Sequence, residues 1–141
     1  MLLFLDIDGV LRRQDAPRYC FEKPLLDTFE AMVRSIGGLD IVISSDWKDA
    51  FSLDSIRALF SPDIAQRIVA FTLTIPDMPE YIRYHEILMY LRENKINDTS
   101  WAVIDDSRSH FPDIENVFYT DPAVGIQEAD ISKIIAFYLS P

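Results

Sequence analysis

The sequence predicts an α/β fold: a three-layer, doubly wound (Rossmann-like) sandwich on a five-stranded, mainly parallel sheet. Three observations predict it. Short apolar runs alternate with amphipathic stretches along the whole chain, the order expected of strands and crossover helices. Several of those runs are apolar throughout, as strands covered on both faces are. Three of them end directly in polar residues able to do chemistry, and open α/β sheets bind ligands at the carboxyl ends of their strands.

The first strand comes from Met1-Leu2-Leu3-Phe4-Leu5, five apolar residues that stop at Asp6-Ile7-Asp8-Gly9-Val10-Leu11. In an extended chain, residues i and i+2 share a side, so Asp6 and Asp8 are expected to project together from the strand's end. Gly9 then lets the backbone turn sharply. Two carboxylates that close repel each other unless a cation lies between them or one keeps its proton. The first eleven residues therefore propose a metal-bearing site.

Arg12 to Glu22 is polar and irregular and reads as a loop or small hairpin. Pro24 opens a helix carrying Leu25, Leu26, Phe29, Met32, Val33 and Ile36 at helical spacing, which Gly37-Gly38 stops. Leu39 to Ile43 is the second strand, ending at Ser44-Ser45-Asp46-Trp47-Lys48. Ser52 caps a helix built on Leu53, Ile56, Leu59 and Phe60, and Pro62 to Gln66 forms a short helical turn. Ile68 to Thr72 is the third strand, and the loop after it contains Pro76 and Pro79. Glu80 to Arg92 is a helix with Tyr81, Tyr84, Leu88 and Leu91 on one side. Trp101 to Ile104 is a fourth strand running into Asp105-Asp106-Ser107, and Asn116 to Thr120 is a fifth. After Asp121-Pro122 and Gly125, a last helix carries Ile131, Ile134, Ile135, Tyr138 and Leu139.

Composition narrows the function. The 141 residues suggest one domain, 1–141, and the hydrophobic share of 49% is that of a globular chain. No apolar run is long enough to span a bilayer, and the apolar start lacks the basic flank of a signal peptide. One cysteine, Cys20, leaves no internal disulfide and fits a cytoplasmic location. A formal net charge of −10 excludes a uniformly basic nucleic-acid footprint, though not a local basic patch.

Asp6-Ile7-Asp8-Gly9-Val10 resembles the nucleophile motif of the haloacid dehalogenase-like (HAD) phosphatases and phosphotransferases. The remaining motifs come in the order the resemblance implies. Ile41-Val42-Ile43-Ser44 is similar to the second, a hydroxyl at a strand's end that donates to a phosphoryl oxygen, with Ser45 and Gly9 beside it in substrate binding. Val103-Ile104-Asp105-Asp106 is similar to the fourth, an acidic pair completing a shell of hard oxygen ligands for Mg²⁺. The resemblance implies metal ligation by Asp6, Asp8 (through its backbone carbonyl), Asp105 and Asp106. Of the acidic pair, Asp106 is preferred as direct ligand, with Asp105 behind it or bridged by water. The third motif is usually a lysine on the helix before that strand. Glu80 to Leu91 has none, so Arg83 is the expected substitute, with Lys95 and Lys48 as alternatives.

The resemblance implies a Mg²⁺-dependent phosphatase working through an aspartyl-phosphate. Asp6 is then the nucleophile, Asp8 the general acid and base, and Ser44 and Arg83 the holders of the phosphoryl oxygens. His85 and His110 are expected to be structural or solvated, and Trp47 to be a loop anchor. Ser45 to Arg83 leaves no room for a large cap, so the chain resembles the small capless HAD domains of nucleic-acid repair proteins. An open cleft of that kind suits a phosphorylated protein or a nucleic-acid end. Two rivals stand beside this reading. A receiver-type signalling domain needs an aspartate closing the third strand and a lysine closing the fifth, where Phe71-Thr72 and Tyr119-Thr120 stand. A catalytically weak protein of the same fold would only bind a phosphorylated partner.

Overall fold

A computed structural model describes residues 1–76 and 80–140. Five strands form one sheet: β1 (Leu2–Leu5), β2 (Asp40–Ile43), β3 (Ile68–Phe71), β4 (Trp101–Asp105) and β5 (Val117–Tyr119). Their order is β3-β2-β1-β4-β5, and every pairing is parallel. The helices are α1 (Lys23–Ser35), α2 (Leu53–Arg57), α3 (Pro62–Ala65), α4 (Ile82–Glu93) and α5 (Glu128–Leu139). The chain runs outward from β1 to β3, then crosses back to β4 on the other side of β1. The gap between β1 and β4 is thus the topological switch point, where such sheets bind ligands.

Alternation along β1 produces the three layers. Leu3 and Leu5 join one core with Ile41, Ile43, Ala102 and Ile104, covered by α1 residues Phe29 and Met32 and α5 residue Ile134. Leu2 and Phe4 face the other way, into a core with Val42, Val103 and Val117 under Ile87 and Leu91 of α4. Both cores lie over the same strands, which explains why β1 has no polar residue before Asp6. Burying a side chain such as Phe4 completely contributes about 1.5–3 kcal/mol.

Each helix has a local cause. Pro24 sits in the first turn of α1, where its missing N–H costs nothing. The Ser52 hydroxyl accepts the Ser55 N–H at 3.1 Å and starts α2. Gln127 and Asp130 form a reciprocal capping box on α5. The helix expected to run through Leu59 and Phe60 instead ends at Arg57. Pro62 forces Ser61 into an extended conformation (ψ 147°), so the chain must leave the helix before it. Phe60 still reaches the core, while Leu59 is left on the surface. Pro76 lies in the loop after β3 as expected, and Pro79 falls outside the described residues. Among the described residues no helix is long and apolar enough to cross a membrane, and no cap is inserted between the strands.

Candidate active site

Register brings the functional residues to one level. Leu5 pairs with Ile43 on one side and Ile104 on the other. The next residue on each strand is therefore Asp6, Ser44 and Asp105. The Asp6 N–H donates to Ile104 O at 3.0 Å, and the Ser44 N–H donates to Leu5 O at 3.0 Å. Carboxylate oxygens of Asp6, Asp105 and Asp106 all lie within 4.8 Å of one another. Asp6 and Asp105 are buried and Asp106 is half-buried.

Burial pushes the Asp6 carboxyl well above the usual carboxylate range, and the neighbouring Asp105 raises it further against the pull of Arg83. Burial also raises Asp106. Asp105 accepts the Ser107 N–H through Oδ1 at 2.8 Å, whereas its buried Oδ2 has no hydrogen-bond partner among the described residues. Hard oxygen donors with an orphaned acceptor among them are a donor set that suits Mg²⁺.

The Asp8 side chain goes elsewhere. β1 ends at Leu5, so the expected strand-like alternation of Asp6 and Asp8 does not carry through. The Asp8 carboxylate is not among the three that gather; it is 54% exposed and paired with Arg12 at 3.0 Å. Its Oδ1 also accepts the Trp47 indole N–H at 3.1 Å. Arg12 is itself buried, its guanidinium donating further to the Pro17 and Ala16 carbonyls. Gly9 has φ +78°, and a Cβ there would stand 2.3 Å from Asp106 Oδ2. Glycine is thus what allows Asp106 to approach this turn. Thr120, at the end of β5, ties the same turn down by donating to Gly9 O at 2.8 Å.

Ser44 is fully buried, and its Oγ has no partner among the described residues. Ser45 Oγ accepts the Trp47 N–H at 3.2 Å and caps the 3₁₀ turn Asp46–Asp49. Arg83 lies in the first turn of α4, which enters from a left-handed Tyr81 (φ 52°). Its guanidinium donates to Ser44 O and stands 3.8 Å from Asp105 Oδ2 and 3.6 Å from Glu86. Arg83 Nε is buried without a hydrogen bond among the described residues. Lys48, one alternative, is tied instead to Glu86 at 3.1 Å and Thr72 Oγ1 at 2.9 Å. Lys95, the other, lies beyond the far end of α4 and is exposed. Arg83 is the basic residue that reaches the acids.

Other residues border the site, and Glu86 among them carried no sequence signal. Glu86 is a buried carboxylate holding both Lys48 and Arg83. His110 Nδ1 lies 3.9 Å from Asp105 Oδ1, nearer the acids than expected of a solvated histidine. Beside Asp8 a cleft of about 450 Å³ opens between Asp8, Arg12, Gln14, Ala16, Arg18 and Tyr19. Trp47 is a buried loop anchor, as expected, packed among Tyr19, Phe21 and Phe51.

A family model described as the HAD domain in Swiss Army Knife RNA repair proteins matches residues 2–131. The chain belongs to this family. No curated protein and no solved structure matches it. The match spans all five strands and every residue of the acidic cluster. At the level of the superfamily this HAD domain is a hydrolase fold, and the all-parallel α/β sheet without a cap agrees with it.

Proposed function

We propose that this HAD domain is a Mg²⁺-dependent phosphomonoesterase acting through an aspartyl-phosphate on an exposed phosphate, that of an RNA end. The gathering of Asp6, Asp105 and Asp106 at the switch point carries the reading. Three carboxylates gather within 4.8 Å at a buried strand end, and burial sets Asp6 and Asp106 against ionising.

In this reading Asp6 attacks phosphorus in line, forming the aspartyl-phosphate while the bond to the leaving oxygen breaks. Asp8, held by Arg12 and Trp47, gives that oxygen a proton. In the second half Asp8 takes a proton from water, the water attacks phosphorus, and the Asp6 carboxylate is released with inorganic phosphate. The unpartnered Ser44 hydroxyl and the free Nε of Arg83 supply donors to the phosphoryl oxygens, where charge spreads. Asp6, Asp106 and the Asp8 backbone carbonyl would hold Mg²⁺, with Asp105 behind them; when bound, the ion supplies positive charge to the acids and the phosphoryl group.

The RNA end comes from the family description and from the open cleft. Among the described residues no cap is inserted between the strands, which leaves room for a macromolecular phosphate. The test compares wild type with Asp6→Asn on p-nitrophenyl phosphate and on an end-phosphorylated oligoribonucleotide, with Mg²⁺ and with EDTA. Wild type with Mg²⁺ should be faster by about 10³-fold or more. If it is no faster than the variant on either substrate, the domain is a phosphate binder of the HAD fold and the enzyme reading is lost.

A further inference from the structure

The group that protonates the leaving oxygen must touch it, so whatever is bonded to that oxygen lies where the Asp8 carboxylate faces. That place is the cleft of about 450 Å³ lined by Asp8, Arg12, Gln14, Ala16, Arg18 and Tyr19. A volume of this order accommodates a nucleotide-sized group.

The lining is built and not a chance fold of a loop. Arg12 fastens it from inside through Asp8, Pro17 and Ala16. Arg13 and Glu22 clamp its two ends with paired contacts between 2.6 and 3.1 Å. Tyr19 is held at φ 59°, a left-handed conformation that a tyrosine seldom takes. That conformation sets its ring edge-on against Trp47 and Phe51, at centroid distances of 5.5 and 5.1 Å. The residue nevertheless remains 52% exposed. An aromatic ring anchored on two others but open to solvent at a cleft's edge is a stacking surface. Next to it, Arg18 is exposed and makes no ion pair or hydrogen bond among the described residues. In a chain of net charge −10, Arg18 is an unpaired cation beside an open aromatic ring.

Resting on the phosphatase reading above, we infer that this cleft is the leaving-group subsite and takes the terminal nucleoside of a single-stranded RNA. Tyr19 stacks on the base, Arg18 pairs with the adjoining phosphodiester, and Gln14 offers its amide to the nucleoside's polar edges. Stacking on aromatic rings together with arginine contact to the backbone is how proteins hold unpaired RNA. A phosphorylated peptide has the phosphate but neither a base for Tyr19 nor a second anion for Arg18.

The test is equilibrium binding to the Asp6→Asn protein, in Mg²⁺, of a short oligoribonucleotide phosphorylated at either end, against a phosphoserine peptide. Tyr19→Asn removes the ring while keeping a residue that tolerates the left-handed backbone. It should weaken oligonucleotide binding about 5- to 100-fold, and Tyr19→Trp should retain it. Arg18→Ala should weaken it about tenfold at low salt and flatten its salt dependence. Unchanged oligonucleotide affinity in both variants overturns the inference. So does a phosphopeptide that binds as tightly and loses as much in Tyr19→Asn. Turnover of p-nitrophenyl phosphate and of the end-phosphorylated oligoribonucleotide by the wild type is measured separately. If neither exceeds that of Asp6→Asn, the phosphatase reading is removed, while the binding comparison still decides whether this cleft takes a nucleoside.

Discussion

The Trp47 indole N–H donates to Asp8 Oδ1 at 3.1 Å, across 39 residues of chain, from a ring that is itself 2% exposed. A buried aromatic thereby fixes the direction of a half-exposed carboxylate. Trp47→Phe keeps most of the packing and removes that donor. It should lower kcat several-fold with little change in KM, and cost about 1–2 kcal/mol in stability. Steady-state kinetics with a denaturant melt measures both. An unchanged kcat would separate Asp8 from the chemistry or Trp47 from Asp8.

Gly9 and Asp106 are equally interdependent. Gly9→Ala places a Cβ 2.3 Å from the Asp106 carboxylate and forces a side chain to φ +78°. The backbone conformation alone costs about 1–2 kcal/mol. The carboxylate must also move, so Mg²⁺ affinity should fall at least about tenfold in titration calorimetry. A variant that is destabilised yet binds Mg²⁺ as well as wild type would show that Asp106 is not a ligand.

The raised carboxyls give the apo protein a defined pH response. Asp6 and Asp106 are pushed up chiefly by burial, so the folded chain holds their protons to higher pH than the unfolded chain does. Their relative stabilisation is intact below the unfolded carboxylate range, about 3.9, and is lost as pH rises through the folded values. In EDTA, Tm should therefore carry a falling contribution from these two groups as pH increases. Mg²⁺ competes with the same protons, so the rise in Tm it causes should grow with pH. Asp6→Asn should raise apo stability near neutral pH and shrink the Mg²⁺ increment. Thermal melts across pH, with and without the ion, check the sign. A Mg²⁺ increment independent of pH contradicts it.

Arg83 and Lys48 share Glu86, and all three are buried. Removing the shared anion takes the carboxylate that pairs with buried Lys48 and one of those beside Arg83, so Glu86→Ala should destabilise by about 3–5 kcal/mol. Arg83→Met should leave the fold but lower kcat by about 10²-fold, by analogy with the loss of one oxyanion donor. Arg83→Lys should recover only part of that, since an ammonium cannot serve Ser44 O and Asp105 at once. Full activity in Arg83→Met would remove it from the site.

The strands were legible because burial on both faces leaves a plain mark: uninterrupted apolar runs at Met1–Leu5, Ile41–Ile43 and Trp101–Ile104. Their ends then carried the site, since parallel register aligns the residue just after each run: Asp6, Ser44 and Asp105. Arg83 was legible as a basic residue near the start of α4, although the sequence alone left Lys48 and Lys95 open. The unreadable part lies in contacts without periodicity. Arg12 to Glu22 has no repeating pattern, so neither its cleft nor the buried Arg12 shows in the order of residues. The turn of the Asp8 side chain toward Trp47 depends on where β1 stops, a matter of backbone hydrogen bonding rather than of residue type. Glu86, one more charge on an amphipathic helix, becomes distinctive only when Lys48 arrives from a different loop.

As nucleophile, Asp6 must share one metal ion with the acids beside it. A crystal structure with Mg²⁺ and beryllium fluoride is the decisive measurement. Trifluoroberyllate should be bonded to an Asp6 oxygen, with one Mg²⁺ touching Asp6 and Asp106 and the Ser44 hydroxyl facing a fluorine. Beryllium on another side chain, or an ion that avoids the three acids, would contradict it.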